Sequence, residues 1–527
     1  MAGRISDRDI AAIRDRARIE DIVGDYVALK RGGADSLKGL CPFHDEKSPS
    51  FHVRPNHGHF HCFGCGEGGD VYSFLQKIEH VSFVEAVEQL AERVGYTLNY
   101  EGGGPSVQRD RGTRARLVAA NAAAQEFYAE QLRTPGAQAA RDYLTERNFD
   151  SAAAPTALRF ATCGCQSWDD GYYTAYRHLA REELAFVYHY GDYIYEYRQG
   201  ATRAGRGGGL SVANRQTVGQ TLYDLADYRR RYALYKSDPD LQRAHAAHAF
   251  FHSFDDHEVA DNWVQDLHGD DPRDVFRLRR AAALQAWYEH MPVRRAQMPR
   301  WGEVAMNRSV RYGNLIEMDI LDTRQFRSDQ PCNDAWAAVC DEVNDRNATV
   351  LGAEQEAWLV RNLSRRDARW NCLAQQIMMM SLDRRTRDEP ARIVNPDSWA
   401  AYEVPRQRLL NRMRGLGNVV VLTGDEHQNF AGLLHDRDTP VAVEFVSTSI
   451  SSGGDGSDLR PGSDRILANN PQLKFINDQR GYLTFDVTPD EWRTNYMVMD
   501  RVSTPGGSIS KRTTMAVSRG TADLRQV

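Results

Sequence analysis

Apolar residues at both ends of the first hundred positions follow a helical spacing. Near the start, Ser6 and Asp9 form a capping-box signal, and apolar residues then recur three and four positions apart. A second apolar stripe consists of Phe83, Val87, Leu90 and Val94. Short strand-like runs and several histidines lie between these two predicted helices. The pattern predicts a small domain in which helices flank short strands.

The pattern changes from about Pro155 onward, where short apolar runs alternate with helical stretches. The apolar runs are ALRFATCGC, ELAFVYHYGD, HAFFHSFDDHE, NLIEMDILDTR, NVVVLTGDEHQ and VAVEFVSTS. Strands that alternate with helices predict an α/β layered domain. Before this region, the Gly- and Pro-rich residues 101–114 favour a linker, and residues 115–147 favour two helices.

The composition of the chain argues against several classes of protein. The chain of 527 residues has 66 Lys and Arg against 72 Asp and Glu, and its net charge of −6 argues against a protein that coats nucleic acid. Eight cysteines are too few for a disulfide scaffold of this size. No apolar run reaches the roughly 18 residues of a membrane span, and the charged N-terminus carries no secretory signal. We therefore expect a soluble, multidomain, cytoplasmic protein.

Two pairs of residues have the spacing of zinc ligands: Cys41 with His44, and Cys62 with Cys65. Zinc prefers four Cys or His ligands in a tetrahedron, and two pairs on turns supply that geometry. Because protein side chains fill all four positions, such a zinc would be structural rather than catalytic. The alternative is a set of free, buried cysteines.

Residues 1–104 resemble the zinc-binding domain of bacterial DnaG-type DNA primases. The matching stretches are GLCPFHDEKSPSFHV, FHCFGCGEGGDVYSFL and FVEAVEQLAERVGY. The helical continuation to about Asp150 resembles the start of the primase polymerase module. The resemblance implies a zinc ribbon that contacts single-stranded template DNA, with replication proteins as further partners. The acidic, metal-binding cluster of a primase catalytic module is not found in the sequence.

Candidate contacts to DNA lie within this first region. The basic candidates are Lys30, Arg31, Lys38, Lys47 and Arg54. Phe51, Phe60 and Phe63 are candidates for stacking on bases. For each basic residue the alternative is a solvated surface charge, and for each ring it is a position in the core.

Side chains that suit metal ions follow several of the later predicted strands. The four strand ends are Cys163-Gly164-Cys165-Gln166, Gly191-Asp192-Tyr193-Ile194-Tyr195, Asp255-Asp256-His257-Glu258 and Gly424-Asp425-Glu426-His427. Ligands at the ends of several strands converge on one edge of an α/β scaffold. Asp, His, Tyr and Cys together suit an open cluster of divalent or trivalent ions rather than a closed structural zinc. Turns explain a single Gly-Asp pair, but not four such strand ends.

Residues 157–527 resemble the PhoD-type alkaline phosphatases, a branch of the metallophosphoesterases. The matching stretches include CQSWDDGYYTAYRHLA, HYGDYIYEY, LDTRQFR, VVLTGDEHQNF and EFVSTSISSGG. The resemblance implies an αββα sandwich that holds iron and calcium and hydrolyses phosphomonoesters and phosphodiesters.

The same resemblance implies roles for individual residues. Cys165, Asp192 and Tyr195 would bind iron, and Asp192 would bridge the metals. Further ligands would be Asp256, Asp425 and His427, with Asn262 as a weaker one. His257 would protonate or stabilise the leaving oxygen, while the metals activate and align a water for in-line attack.

The expected fold is a multidomain α/β protein with three parts. A zinc ribbon with flanking helices takes residues 1–104, a linker with a helical segment takes residues 105–155, and a four-layer αββα sandwich takes residues 156–527. Primases act on cytoplasmic DNA, whereas PhoD-type enzymes are normally exported through a twin-arginine signal. The simplest hypothesis for the combination is a chimera.

Two classes of function stay open. One is a metal-dependent phosphoester hydrolase that carries a primase-type zinc domain. The alternative is a primase fragment that binds single-stranded DNA through its zinc ribbon and has no primase catalytic module. A smaller question concerns Cys332 and Cys340, which either form a disulfide or remain a free pair.

Overall fold

The computed structural model describes most of the chain. The described residues are 4–33, 35–44, 46, 48–78, 83–98, 100–101, 156–197, 215, 220–269, 271–300 and 302–527. The chain divides into two compact units, one within residues 1–141 and the other within residues 142–527. The predicted helices of residues 115–147 and the predicted boundaries near residues 104 and 155 lie outside the described residues. Within the described ranges, no helix has the length and apolar character that crossing a bilayer requires.

In the part of the first unit that the structure describes, four α-helices accompany a small antiparallel sheet. The sheet has the order β2-β3-β4-β5-β6, formed by β2 (Lys30–Gly33), β3 (Ser36–Gly39), β4 (Phe51–Arg54), β5 (His59–Cys62) and β6 (Gly68–Gly69). A separate ladder pairs β1 (Arg4–Ile5) with β7 (Tyr100–Glu101). The helices are Asp7–Arg16, Ile19–Gly24, Val71–Ile78 and Phe83–Arg93. The predicted cap is present, since the Asp9 backbone N–H donates to the Ser6 hydroxyl at 3.1 Å.

The second unit contains two seven-stranded mixed sheets. The first has the order β10-β9-β8-β18-β19-β20-β21, formed by β8 (Leu158–Cys163), β9 (Val187–His189), β10 (Phe250–His252), β18 (Gly481–Val487), β19 (Glu491–Met499), β20 (Ile509–Ser518) and β21 (Leu524–Gln526). The second has the order β11-β12-β13-β14-β16-β15-β17, formed by β11 (Arg308–Tyr312), β12 (Ile316–Ile320), β13 (Trp370–Ala374), β14 (Val419–Thr423), β15 (Asn429–Asp436), β16 (Thr439–Val446) and β17 (Leu473–Asn477). The strands β8, β9 and β10 run parallel, as do β12, β13, β14 and β16.

Helices accompany these sheets, so the predicted alternation of strands and helices gives the expected mixed α/β structure. The α-helices are Thr174–Leu179, Leu225–Lys236, Pro239–Ala247, Arg273–His290, Gly352–Arg365, Glu403–Met413 and Ser463–Asn469. One buried cluster joins side chains of both sheets, with Phe160 from the first and Val420 from the second. Two further clusters pack helices onto sheets: Trp287 belongs to the one that includes Val187, and Leu410 to the one that includes Val421.

Tyr190 connects three strand ends near the functional site. It follows β9, is fully buried, and donates its hydroxyl to the Thr448 carbonyl oxygen at 2.7 Å. Its ring lies against two glycines, such that a Cβ added at Gly164 or Gly424 would come within 2.3 Å or 2.1 Å of ring atoms. Gly164 follows β8 and Gly424 follows β14, so one aromatic ring fixes the spacing between an end of each sheet.

Substituting Gly424→Ala tests this packing. Because the new methyl group would overlap the Tyr190 ring, we expect a loss of about 1–3 kcal/mol in the free energy of unfolding, measured by urea denaturation. The matched control is the same substitution in a Tyr190→Ala background, where the overlap is gone and the added cost should fall by at least about 1 kcal/mol. An equal cost in both backgrounds would show that the ring does not set this spacing.

Candidate functional site

The predicted metal ligands of the second unit sit at the carboxyl ends of parallel strands. Cys165 follows β8, Asp192 follows β9, Asp256 follows β10 and Asp425 follows β14. Five residues of the site have a left-handed backbone: Cys165 (φ 50°), Asp192 (φ 53°), Asn262 (φ 54°), Asp425 (φ 63°) and His427 (φ 52°). This conformation costs a residue with a side chain roughly 1–2 kcal/mol. The surrounding fold therefore maintains strain at the positions that carry the chemistry.

These side chains converge into one polar cluster. Ligand atoms lie within 4.8 Å of one another in three overlapping groups, which are Cys165, Asp192 and His427, then Asp192, Asp256 and His257, then Asp255, Asp256 and Asp425. The Tyr195 hydroxyl lies 3.1 Å from both Asp192 Oδ2 and His427 Nε2. Asp192 and Asp256 each belong to two of these groups, so the two carboxylates connect the three groups into one cluster.

Asn262 enters the cluster differently. Its backbone N–H donates to Asp256 Oδ2 at 2.7 Å, and the residue also lines a cavity beside the cluster. The structure therefore gives Asn262 a defined contact through its main chain, which orients the carboxylate of Asp256.

The electrostatics of the cluster suit cations. Burial and the neighbouring carboxylate of Asp256 hold the pKa of Asp192 well above its usual range, although His257 opposes the shift. Burial and Asp255 likewise raise the pKa of Asp425, and burial and Asp192 raise the pKa of the Cys165 thiol. Acidic groups that repel one another in this way ionise together when positive charge is added between them.

Unsatisfied oxygens give a second indication of a cation site. Asp192 Oδ1, Asp255 Oδ2 and Asp256 Oδ1 are buried and have no hydrogen-bond partner among the described residues. Buried carboxylate oxygens without partners are costly, whereas metal coordination satisfies them. The donor set of thiol, phenol, imidazole and carboxylates thus fits a cluster of metal ions.

Arg324 is the main counter-charge of the cluster, and the sequence analysis did not assign it a role. The guanidinium is fully buried, with Nε 2.5 Å from Asp255 Oδ1 and Nη1 2.9 Å from Asp397. Its Nη2 lies 3.5 Å from Asp256 Oδ1. The signal that could have revealed it is the polar run that directly follows the buried strand β12.

Glu258 belongs to the predicted strand end that also contains Asp256, but the sequence analysis assigned it no role of its own. Its carboxylate accepts backbone N–H groups from Asp192 at 3.0 Å, Tyr193 at 2.7 Å and Asp255 at 2.9 Å. These bonds fasten the loops after β9 and β10 to each other. Burial raises the pKa of Glu258 to about 7, although the three N–H donors act in the opposite direction.

His257 lies beside the cluster and is oriented by Glu196. Its Nδ1 is 2.8 Å from Glu196 Oε2, and its ring centroid is 4.1 Å from that of Tyr195. Burial alone would lower the pKa of His257, but the carboxylates of Asp256 and Glu196 outweigh burial and raise it well above its usual value. The contact with Glu196 fixes a proton on Nδ1 and leaves Nε2 directed toward Asp256 and Asp261, each 3.9 Å away.

The four predicted zinc ligands of the first unit also come together. Cys41, His44, Cys62 and Cys65 place their ligand atoms within 4.8 Å of one another. The Cys41 and Cys65 Sγ atoms are 3.8 Å apart. A tetrahedral zinc with Zn–S bonds of about 2.3 Å requires Sγ atoms about 3.8 Å apart, so the spacing fits this ion.

Glu46 supports this zinc-type cluster from outside. It accepts the backbone N–H of Cys41 at 2.7 Å and the hydroxyl of Ser50 at 2.5 Å. Ser50 Oγ is 3.2 Å from Cys62 Sγ, and Glu46 Oε2 is 3.5 Å from His44 Nε2. Such outer partners hold the ligand side chains in the orientation that coordination needs.

The candidate DNA contacts of the first unit separate into surface and core. Lys30, Arg31, Lys38 and Arg54 are exposed on β2, β3 and β4, whereas Lys47 lies outside the described residues. Of the three phenylalanines, Phe51 and Phe60 are fully buried and stack on each other, with ring centroids 5.3 Å apart. For these two rings the alternative of a position in the core therefore holds, because they lie inside the small sheet's apolar cluster.

Phe63 alone of these three rings faces solvent, with 66% of its surface exposed. The rings of His52 and His61 lie edge-on to it at 5.2 Å and 4.8 Å. Close by in the sheet, Lys30 and Lys38 are direct cross-strand partners. Like charges opposite each other destabilise a sheet, so this pair favours an anionic partner.

The question of Cys332 and Cys340 is settled in favour of a bond, since the two form a disulfide. The bridge closes a loop that lies between β12 and the helix Gly352–Arg365. The other described cysteines are free.

Comparison with known proteins separates the two units. The PhoD-like phosphatase family matches residues 160–496, and the CHC2 zinc finger matches residues 5–105. Alkaline phosphatase D of Bacillus subtilis is 42% identical over 378 residues, which cover 70% of this chain and 64% of that protein. The DNA primase of Mycobacterium tuberculosis is 68% identical over 186 residues, which cover 35% of this chain and 28% of that protein.

A solved structure, "Structure of PhoD", superposes on 71% of this chain and 72% of its own, with a TM-score of 0.67 and 41% identity. The chain thus spans less than two thirds of alkaline phosphatase D and under a third of the primase. The match of separate regions to separate families supports the hypothesis of a chimera. The chain belongs to the PhoD-like phosphatase family, and it carries a zinc finger of the DnaG primase type at its N-terminal end.

Proposed function

We propose that the second unit is a metal-dependent phosphoester hydrolase. The observation that carries the proposal is the convergence of buried, mutually repelling carboxylates with Cys165, Tyr195 and His427 at one edge of the sheets. The 42% identity to an alkaline phosphatase supports the same reaction class. We further propose that the two sheets and their outer helices form the four-layer αββα arrangement of this family, within residues 156–527.

The proposed metals are iron and calcium, held by the ligands at the strand ends. Cys165, Asp192 and Tyr195 would hold iron, with Asp192 shared between the metals. The remaining ligands would be Asp256, Asn262, Asp425 and His427. When bound, such ions neutralise phosphate charge and lower the pKa of a coordinated water.

The protein's own residues have distinct tasks in this mechanism. Arg324 and Glu258 are both buried. Arg324 pairs with the carboxylate of Asp255, and Glu258 joins the two loops that carry the ligands, so the carboxylates keep fixed positions. Glu196 holds the His257 ring through Nδ1, which leaves Nε2 to donate a proton to the leaving oxygen as its bond to phosphorus breaks. The buried walls around Cys165 and Tyr195 exclude bulk water from the reacting group.

Substituting Asp192→Asn tests the hydrolase. Loss of the shared carboxylate should lower the hydrolysis of p-nitrophenyl phosphate at least about 100-fold, since even outer-sphere changes cost metal sites 10- to 100-fold. Elemental analysis of the purified full chain should show loss of iron or calcium with zinc unchanged. Retained hydrolysis in this variant would refute the site.

Cys65→Ser is the reciprocal control. This variant should lose zinc and keep the hydrolytic rate, because Cys65 belongs to the first unit alone. If both variants lose both properties, the two metal sites are not independent.

We propose a second function for the first unit, the binding of single-stranded DNA. The supporting observation is the exposed Phe63 near the opposed lysines of β2 and β3. An exposed ring offers a stacking face for a base, and Lys30 and Lys38 offer charge to the backbone phosphates. We propose residues 1–104 as the domain that carries this function, with residues 105–155 as its connection and replication proteins as further partners.

Substituting Lys38→Ala tests the electrostatic part of this binding. The variant should bind a fluorescent oligonucleotide more weakly, and the slope of log K against log salt should fall by about 0.7 for one lost phosphate contact. Lys77→Ala is the matched control, because Lys77 already pairs with Glu67. An unchanged slope in Lys38→Ala would exclude this residue from the interface.

Substituting Phe63→Ala tests stacking separately. We expect affinity to fall by about 1–3 kcal/mol with the salt dependence unchanged, because a ring carries no charge. The same oligonucleotide titration at several salt concentrations measures both quantities. A loss of affinity that vanishes at high salt would contradict a stacking role.

A further inference from the structure

Two cavities border the candidate metal cluster of the second unit. One has a volume of about 1140 Å³ and reaches Asn262, and the other has a volume of about 810 Å³ and reaches Asp425 and His427. Asp334 lines both of them. An organic group attached to phosphorus at the cluster can therefore extend into either cavity.

The wall shared by the two cavities is the disulfide-closed loop. The bond between Cys332 and Cys340 spans eight positions, and Asp334 and Trp336 lie inside the closed segment. The loop is held at its base, since the Cys332 backbone N–H donates to Glu342 Oε2 at 2.8 Å. Three consecutive residues, Cys332, Asn333 and Asp334, have left-handed φ values of 61°, 56° and 51°. The bridge and the hydrogen bond hold this strained backbone in place.

Trp336 presents a large apolar face from this loop. It is 48% exposed and is the largest apolar side chain that lines the second cavity. Most of its neighbours on that wall are ionic, including Arg384 paired with Glu426 at 2.6 Å and Arg460 paired with Asp478 at 2.6 Å. Exposing part of an indole to water in such surroundings is unfavourable, and a flat apolar group of a ligand that covers it recovers that free energy.

The position of His257 indicates which ester group goes to which cavity. Its Nε2 is 3.9 Å from Asp261, and its ring centroid is 5.3 Å from that of Tyr197. Both residues line the first cavity. A leaving oxygen that lies against the His257 ring therefore departs on the side of the first cavity, and the group that stays on phosphorus lies on the side of the second.

We propose that Trp336 selects phosphodiesters whose retained ester group has a flat aromatic face, and that the disulfide positions Trp336 for this contact. The inference rests on the proposed hydrolase function. The first cavity takes the leaving group among its carboxylates, and the second cavity takes the retained group against the indole.

Two substrates with one leaving group test this assignment in the full chain with its metals. Phenyl p-nitrophenyl phosphate and methyl p-nitrophenyl phosphate both release p-nitrophenol and differ only in the retained group. Trp336→Ala should lower kcat/KM about 3- to 10-fold for the phenyl diester, mainly through KM, because a ring–ring contact is lost. The methyl diester should change less than about 2-fold.

Further variants distinguish the loss of the Trp336 contact from a general loss of activity. Trp336→Phe should keep most of the preference for the phenyl diester, because an aromatic face remains. The Cys332→Ser/Cys340→Ser variant should lower the phenyl-to-methyl ratio in the same direction with the methyl rate kept. Leu278→Ala is the matched control, since Leu278 is 75% exposed and lines neither cavity, and it should change nothing.

An equal fall for both diesters, or no change for either, would overturn the role of Trp336. A wild-type protein that hydrolyses neither the two diesters nor p-nitrophenyl phosphate would reject the proposed hydrolase itself, whereas hydrolysis of the monoester alone would overturn only the preference for diesters. The contact is then measured by calorimetric binding of phenylphosphonate and methylphosphonate. Weaker binding of the phenyl compound alone in Trp336→Ala supports the contact, and equal binding by both proteins overturns it.

Discussion

The concentration of carboxylates at one buried edge is the constraint on which the second unit depends. Asp192, Asp255 and Asp425 cannot all be ionised there without positive charge, because burial and mutual repulsion raise their pKa values. Burial acts in the same direction on Asp256, but His257 and Arg324 outweigh it and hold the pKa of Asp256 below its usual range. Arg324 supplies one charge from the opposite sheet, and its full burial makes it a fixed part of the edge. The strand ends, the residues with left-handed backbone and the glycines packed on Tyr190 all lie at this edge, where further positive charge is required.

The two candidate metal sites differ in burial, in ligand chemistry and in the space beside them. In the first unit, Cys65 is exposed, Cys62 ends β5, and the other three ligands lie in the segments beside the small sheet. Its geometry closes around one ion and leaves no room for substrate. In the second unit the ligands are buried, more numerous and of mixed chemistry, and cavities border them. The first arrangement has the closed geometry of a structural metal site, and the second leaves space for a reacting group.

Sequence patterns predicted the parts of the structure that depend on local order. Neighbouring residues along the chain were enough to predict the Ser6 cap and the two pairs of zinc-type ligands, in which two residues separate the members of each pair. They also indicated the polar residues that follow β8, β9, β10 and β14. Arg324 received no role because its partners Asp255 and Asp397 come from distant segments. Glu258 received none because two of its three N–H donors belong to the loop after β9. The buried phenylalanines were ambiguous for a similar reason, since alternation in a short strand does not say which face becomes the core.

The left-handed backbone at the ligand positions affects which substitutions evolution tolerates there. At Cys165, Asp192 and Asp425 the left-handed backbone has a conformational free-energy cost that it would not have with glycine. Replacing such a ligand with glycine relieves backbone strain and removes an acidic group whose ionisation burial and its neighbours oppose. A chain that has lost its chemistry in this way keeps its fold, so abundance in the cell reports nothing about activity. Only selection on turnover itself preserves these residues, since selection for stability acts against them.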